Sequence, residues 1–248
     1  MLLGEVFKNI NKKYKKIKFN DIKFNSKDCK SNDIFFAIKG NNLDGKKYIN
    51  DAIKNGAKII VSDLKLNKSK KKNILFIYDK NPRKLLSVIA SRIYKSKPNN
   101  IIAVTGTKGK TTVTRMIQHV LMTQEKSVFG EYGNDGSFVN GIRDFDFRSA
   151  DSYFANKECK KSDFLISEAT SFVLGLDVYD NHPIDVGVFT GFEETEHSEL
   201  YDTPEDYLNA KRLIFNYLKK KSSIFVNRDS EYFDDIVKSQ KSNIVVRA

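Results

Sequence analysis

Long apolar runs are missing from this chain. No stretch of its 248 residues reaches the 18 apolar residues that a membrane-spanning helix needs. The opening MLLGEVFKNINKKYKK has too short an apolar segment, followed at once by charge, to act as a signal peptide. A cytoplasmic location with no membrane partner is therefore expected. Cysteine is nearly absent. Cys29 and Cys159 lie far apart in polar, loop-like sequence without metal-ligand spacing, which argues against a disulfide framework and against a zinc site. Both are expected to be free thiols. Arginine is scarce as well, at 8 of the 43 basic residues, although it is the residue best suited to bidentate phosphate recognition. The lysines are scattered or sit in loop-like runs such as Lys68-Ser69-Lys70-Lys71-Lys72, with no interleaved aromatics. The net charge of +12 and pI near 9.4 are thus read as a solvated surface attractive to anionic nucleotides, not as a specific nucleic-acid interface. Internal repeats and long low-complexity tracts are also lacking.

What is present suits two domains, because 248 residues with 40% apolar content can form more than one core. The polar, proline-containing stretch Lys95-Ser96-Lys97-Pro98-Asn99-Asn100 marks the expected boundary, giving domains over 1–97 and 98–248. Upstream, DIFFAI (33–38), KIIVS (58–62) and ILFIY (74–78) read as strands. They accompany a helix over 46–55 ending at Gly56 and an amphipathic helix over 82–94 with proline in its first turn. Downstream, apolar strands recur over 101–105, 164–167, 186–190, 223–227 and 243–246 with helical segments between them. The fold class expected is α/β: a small N-terminal α/β domain, then a mostly parallel, doubly wound α/β domain carrying a P-loop.

The most informative segment is IIAVTGTKGKTTVTRMIQHVL, residues 101–121, which joins a buried strand, a tight glycine turn and a helix start. Gly106 and Gly109 let the backbone approach an anion, Lys110 supplies a cation, and Thr111 supplies a hydroxyl for Mg²⁺. The loop departs from the common G-x-x-x-x-G-K-[ST] form, whose first glycine would fall at Val104. Further polar residues follow later strands, where an open parallel sheet binds ligands. Glu168 ends FLIS, His197 lies beyond VGVFT, and Lys211 sits in YLNAKRLIF, on a helix opened by Thr203-Pro204-Glu205.

Taken together these residues resemble the Mur ligases, the ATP-dependent enzymes that join amino acids to UDP-N-acetylmuramoyl precursors of peptidoglycan. TGTKGKTT (105–112) is similar to the family's ATP loop, SEATSF (167–172) to its E-x-S-S segment, and TEHSELYDTPEDYLNAKRLIF (195–215) to its D-H-x-x-x-H-x-x-x-x-x-Y-x-x-A-K-x-x-x-F segment. NSKDCKSNDIFFAIKGNNLDGKKYINDAIKNGAKIIV resembles the uridine-nucleotide-binding domain of the tripeptide-forming branch. That likeness implies a UDP-N-acetylmuramoyl-peptide and an amino acid as substrates, joined through an acyl phosphate made with ATP. It further implies that Thr107, Lys108, Gly109, Lys110, Thr111 and Thr112 hold the phosphates and that Thr111 and Glu168 bind one Mg²⁺. His197 and a carbamylated Lys211 would hold a second metal ion, with Lys110, His197 and Lys211 as the catalytic set. Asn227 and Asp229, in FVNRDS, resemble a stretch near the nucleotide, and Ser26, Asp44 and Gly45 would meet the uridine nucleotide.

Three departures concern the substrate. Arg148-Ser149-Ala150-Asp151 stands where the branch has T-T-P-D, a segment that meets the UDP-sugar peptide; Gly191 stands for an expected asparagine, and Tyr201 for a second histidine. The chain also stops at VVRA, where the resemblance leads one to expect a third domain, so a fragment or a separate partner chain is expected, nearly inactive by itself. Two other readings explain part of the pattern. A stand-alone P-loop NTPase accounts for Lys110 and Thr111, and a non-catalytic ATP or nucleotide-sugar binding module accounts for the missing domain.

Overall fold

Strands form where β-branched and aromatic residues can be buried on both faces of a parallel sheet. In the computed structural model, which describes residues 1–40, 44–65, 73–93, 98, 100–133, 137–145, 159–175, 179–194, 201–238 and 245–247, the chain divides into units Met1–Lys95 and Ser96–Ala248. The first unit is a four-stranded, wholly parallel sheet in the order β1 (Ile22–Lys23), β2 (Ile34–Phe36), β3 (Ile59–Ser62), β4 (Leu75–Tyr78). Ile34, Phe35, Phe36, Ile59, Ile60 and Val61 are buried at its centre. The helix expected over 46–55 is a 3₁₀ turn, Gly45–Tyr48, followed by a helix, Ile49–Lys54. The Asp44 carboxylate caps the turn by accepting from the Lys46 amide at 3.0 Å.

The second unit is an eight-stranded sheet. Its order is β12 (Val245–Arg247), β11 (Leu218–Val226), β10 (Ile184–Phe189), β5 (Asn100–Thr105), β9 (Phe164–Glu168), β6 (Val128–Glu131), β7 (Ser137–Val139), β8 (Ile142–Phe145). The strands from β12 to β6 pair in parallel, and β7 and β8 add an antiparallel edge. The sequence reading did not include β1, β6 or this hairpin. Its signal is Asn140-Gly141: both residues have positive φ, 47° and 80°, as a two-residue primed turn requires. On one face the helix Lys110–Thr123 covers Ile102, Val128 and Ile166. On the other, Ile101, Ala103, Phe129, Leu165, Phe189 and Ile224 pack under Tyr207, Ile214 and Phe215. Both cysteines are free thiols, yet they are buried among apolar neighbours and not in exposed polar loops. Among the described residues no helix is long and apolar enough to cross a membrane.

Candidate active site

Register decides which side chains meet. Phe189 pairs with Thr105, Val226 with Phe189, Val104 with Glu168, and Ser167 with Glu131. The carboxyl ends of β11, β10, β5, β9 and β6 are therefore level, and Asn227, Thr190, Gly106, Glu168 and Glu131 emerge along one edge. Within that row the first strand of the unit, β5, lies between β9 and β10, the place where an open α/β sheet leaves a crevice.

The phosphate loop leaves β5 through Gly106 at φ +135° and enters the helix Lys110–Thr123 through Gly109 at φ +82°. Both values lie where a side chain is strained. No side chain caps this helix, so the amides of Lys110, Thr111 and Thr112 open its N-terminus without intrahelical acceptors. The Thr107 amide is committed elsewhere, donating to the Gly191 carbonyl at 2.9 Å, while the Thr107 hydroxyl accepts from the Glu193 amide at 3.0 Å. Thr107 thus anchors the loop, and the cradle of amides begins after it. Lys110 folds its ammonium back onto the loop, donating to the carbonyls of Gly106 at 3.1 Å and Thr107 at 2.7 Å. Lys108 reaches outward to Glu193 at 2.6 Å, an exposed ion pair of small energetic weight.

Lys211 is only 1% exposed. Its helix, Pro204–Arg212, is capped by Thr203 and carries Lys211 across the core face, where the ammonium donates to Gly106 O at 2.8 Å. The same ammonium lies 4.3 Å from the centre of the Tyr207 ring, a cation–π contact that compensates part of its desolvation. Tyr201, in the expected histidine's place, packs on Tyr207 with ring centres 5.1 Å apart. Gly191 has φ +143°, which explains glycine here: the turn feeding Thr107 adopts a backbone that asparagine reaches only with strain.

Glu168 is buried at the end of β9. A side chain on Gly133 would bring its Cβ to 3.2 Å from Glu168 Oε2, so glycine leaves that carboxylate room. Glu131, which the sequence reading passed over, is buried beside it at the end of β6. Burial first, and the charge of Glu168 second, push the Glu131 carboxyl up to about 8, while the Gly133 amide bonded to it pulls the other way. Asn227 and Asp229 line a cleft of about 340 Å³ with Lys108, Thr190, Gly191 and Glu193. Asn227 holds it in shape by donating to Thr190 O at 3.3 Å and accepting from the Asp229 amide at 3.1 Å.

His197, Arg148 and Ser149 lie outside the described residues. Ser26, Asp44 and Gly45 belong to the first unit. Ser26 is buried with its carbonyl accepting from Asn55 at 2.8 Å, Asp44 is the cap described above, and Gly45 packs so closely that an added Cβ would lie 2.6 Å from Ile38 O.

A sheet-edge phosphate loop is thus joined to a buried helix lysine through the Gly106 carbonyl. The family model described as the Mur ligase middle domain matches residues 104–247, and that of the Mur ligase family catalytic domain matches residues 18–106. This chain belongs to the Mur ligase family. Among Mur ligases it is 35% identical over 234 residues to the UDP-N-acetylmuramoyl-L-alanyl-D-glutamate--2,6-diaminopimelate ligase of Clostridium tetani, covering 90% of this chain and 47% of that one. It is 31% identical to the ligase of the same name from Rickettsia montanensis, covering 90% and 48%. The chain spans about half the length of the curated relatives it matches. A solved structure of a ligase of that name shares the fold with a TM-score of 0.75 at 22% identity, over 99% of this chain and 51% of the other. The MurF ligase of Thermotoga maritima in complex with ADP does so at 0.65 and 23%, over 91% and 49%.

Proposed function

We propose that this chain carries the substrate-binding and ATP-binding parts of an ATP-dependent ligase that adds an amino acid to a UDP-N-acetylmuramoyl-peptide. The observation that carries the reading is the convergence of Lys110 and the buried Lys211 on the phosphate loop at Gly106, which puts a loop cation and a second, modifiable amine at one place on the sheet edge. Residues 1–97 are assigned to the uridine-nucleotide substrate, through Ser26, Asp44 and Gly45, and residues 98–248 to ATP. Arg148 and Ser149 are assigned to the peptide end of that substrate.

In the reaction the acceptor carboxylate attacks the γ-phosphorus, the bond from phosphorus to the bridging oxygen breaks toward ADP, and an acyl phosphate results. The amine then attacks the acyl carbon, the C–N bond forms, phosphate leaves with the C–O electron pair, and the nitrogen loses a proton. The chain's part is placement and charge. The amides from Lys108 to Thr112 and the Lys110 ammonium, turned out from Gly106 and Thr107, hold the β- and γ-phosphates. Asn227 and Asp229 bound the cleft for the rest of the nucleotide.

The donor set fits Mg²⁺. Thr111 and the buried Glu168 offer two hard oxygens, which would hold the ion together with phosphate oxygens of the nucleotide. Held there, Mg²⁺ would supply neutralisation of charge on the phosphates. His197 and Lys211 are assigned to a second ion, Lys211 as a carbamate, because a free ammonium would repel the metal. Calorimetry with Mg-ATP on the chain and on Lys110→Ala tests the reading: binding is expected in the first and lost in the second, and equal affinity overturns it.

A further inference from the structure

The two loop glycines have backbone freedom that must be taken away if the amides are to stay aimed at a phosphate. Beside the bonds from Lys211 to Gly106 O and from Gly191 and Glu193 to Thr107, one residue outside the loop holds the carbonyls that precede both glycines. The Thr190 amide donates to Thr105 O at 3.0 Å, and its hydroxyl lies within hydrogen-bond reach of Lys108 O at 2.5 Å and of Thr105 O at 3.2 Å. A Cβ on Gly106 would overlap that hydroxyl, and one on Gly109 would stand 3.7 Å from Thr190 Cβ, so Thr190 fills the space against which both glycines turn. Thr190 is itself held, since its carbonyl accepts from Asn227 Nδ2 at 3.3 Å.

We infer that Thr190 is a positioning residue for nucleotide binding, acting through the loop backbone; this rests on the ATP-binding reading above. The physical reason is peptide planarity. In a trans peptide the C=O and the next N–H point opposite ways, and the chain has no cis bonds among its described residues. Holding Lys108 O toward Thr190 therefore fixes the Gly109 N–H on the side away from Thr190, and holding Thr105 O does the same for Gly106. A loop without this hydroxyl keeps its sequence, Lys110 and its helix, but must order itself when the phosphate arrives, which lowers affinity.

The test compares Thr190→Val, which keeps the branched shape and removes the donor, with Thr190→Ser, which keeps the donor. ATP and ADP affinities are measured by calorimetry on the full chain, beside wild type and Lys110→Ala. Thr190→Val is expected to bind roughly tenfold more weakly, the scale of one lost hydrogen bond, and Thr190→Ser to bind as wild type. Thermal unfolding without nucleotide is expected to change less than the stabilisation added by ADP. Wild-type affinity in Thr190→Val, or a loss in Thr190→Ser equal to that in Thr190→Val, overturns the assignment. If Thr190→Val does not fold, Thr190→Ala takes its place, since it adds no bulk beside the loop, and undiminished affinity there overturns the assignment equally. Failure of the nucleotide reading looks different: wild type and Lys110→Ala would then be alike.

Discussion

Lys110 and Lys211 donate to the same carbonyl oxygen, that of Gly106, at 3.1 and 2.8 Å. Two ammonium groups on one acceptor repel each other, and the carbonyls of Gly106 and Thr107 and the Tyr207 ring lie against them. An anion in the loop, or conversion of Lys211 to a carbamate, relieves the repulsion. The site is therefore poised for negative charge.

Lys211→Ala removes one of the two cations and leaves a cavity in the core face. The chain is expected to lose about 1 to 3 kcal/mol of stability while still binding Mg-ATP through Lys110. In the complete ligase the same change is expected to abolish activity, with partial return on adding short-chain carboxylates that replace the carbamate oxygens. An unchanged ligase rate would show that Lys211 serves the fold and not the reaction.

Gly106→Ala places a methyl against the Thr190 hydroxyl at a φ of +135°. Strain of roughly 1 to 3 kcal/mol and a displaced loop are expected, so nucleotide binding should fall by far more than in a Gly175→Ala control, where a methyl meets only ordinary contacts at 3.5 Å. Equal affinities in the two variants would argue that the loop tolerates rearrangement.

Glu131 gives a pH signature. Its folded carboxyl, pushed up to about 8 from the usual 4.5, binds a proton more tightly than in the unfolded chain. The stabilising contribution of that proton is complete below about pH 4.5 and is lost as pH rises through about 8. In metal-free buffer, denaturant midpoints should therefore fall over that range in wild type and fall less in Glu131→Gln. Parallel curves for the two proteins would refute the buried, proton-holding carboxyl.

The cysteines should be silent in the native chain. Burial first, with the charge of Asp33 second, pushes the Cys29 thiol up to about 12, and Cys159 is 1% exposed. A thiol reagent at pH 8 is expected to modify neither until denaturant is added, and then both. Rapid native labelling of Cys29 would contradict its packing beside Phe35 and Ile60.

Much of this molecule was legible in the chain. Short β-branched runs such as IIAV and FLIS can be satisfied only inside a parallel sheet, and G-x-x-G-K-T between such a strand and a helix makes a phosphate loop by local geometry alone. Those features depend on neighbours in sequence, so sequence determines them. The Asn140-Gly141 hairpin is equally local, but its strands are only three and four residues long and carry Ser137, Arg143 and Asp144 where the parallel strands have apolar runs. What only the tertiary structure decided depends on register between distant strands. That Phe189 pairs with Thr105 brings Thr190 onto the loop and commits the Thr107 amide to Gly191. That Ser167 pairs with Glu131 sets a second buried carboxyl beside Glu168, and the packing of Tyr207 turns an ordinary helix lysine into a buried cation at the Gly106 carbonyl. A side chain's burial and partners are properties of the whole sheet edge, and no window of sequence contains them.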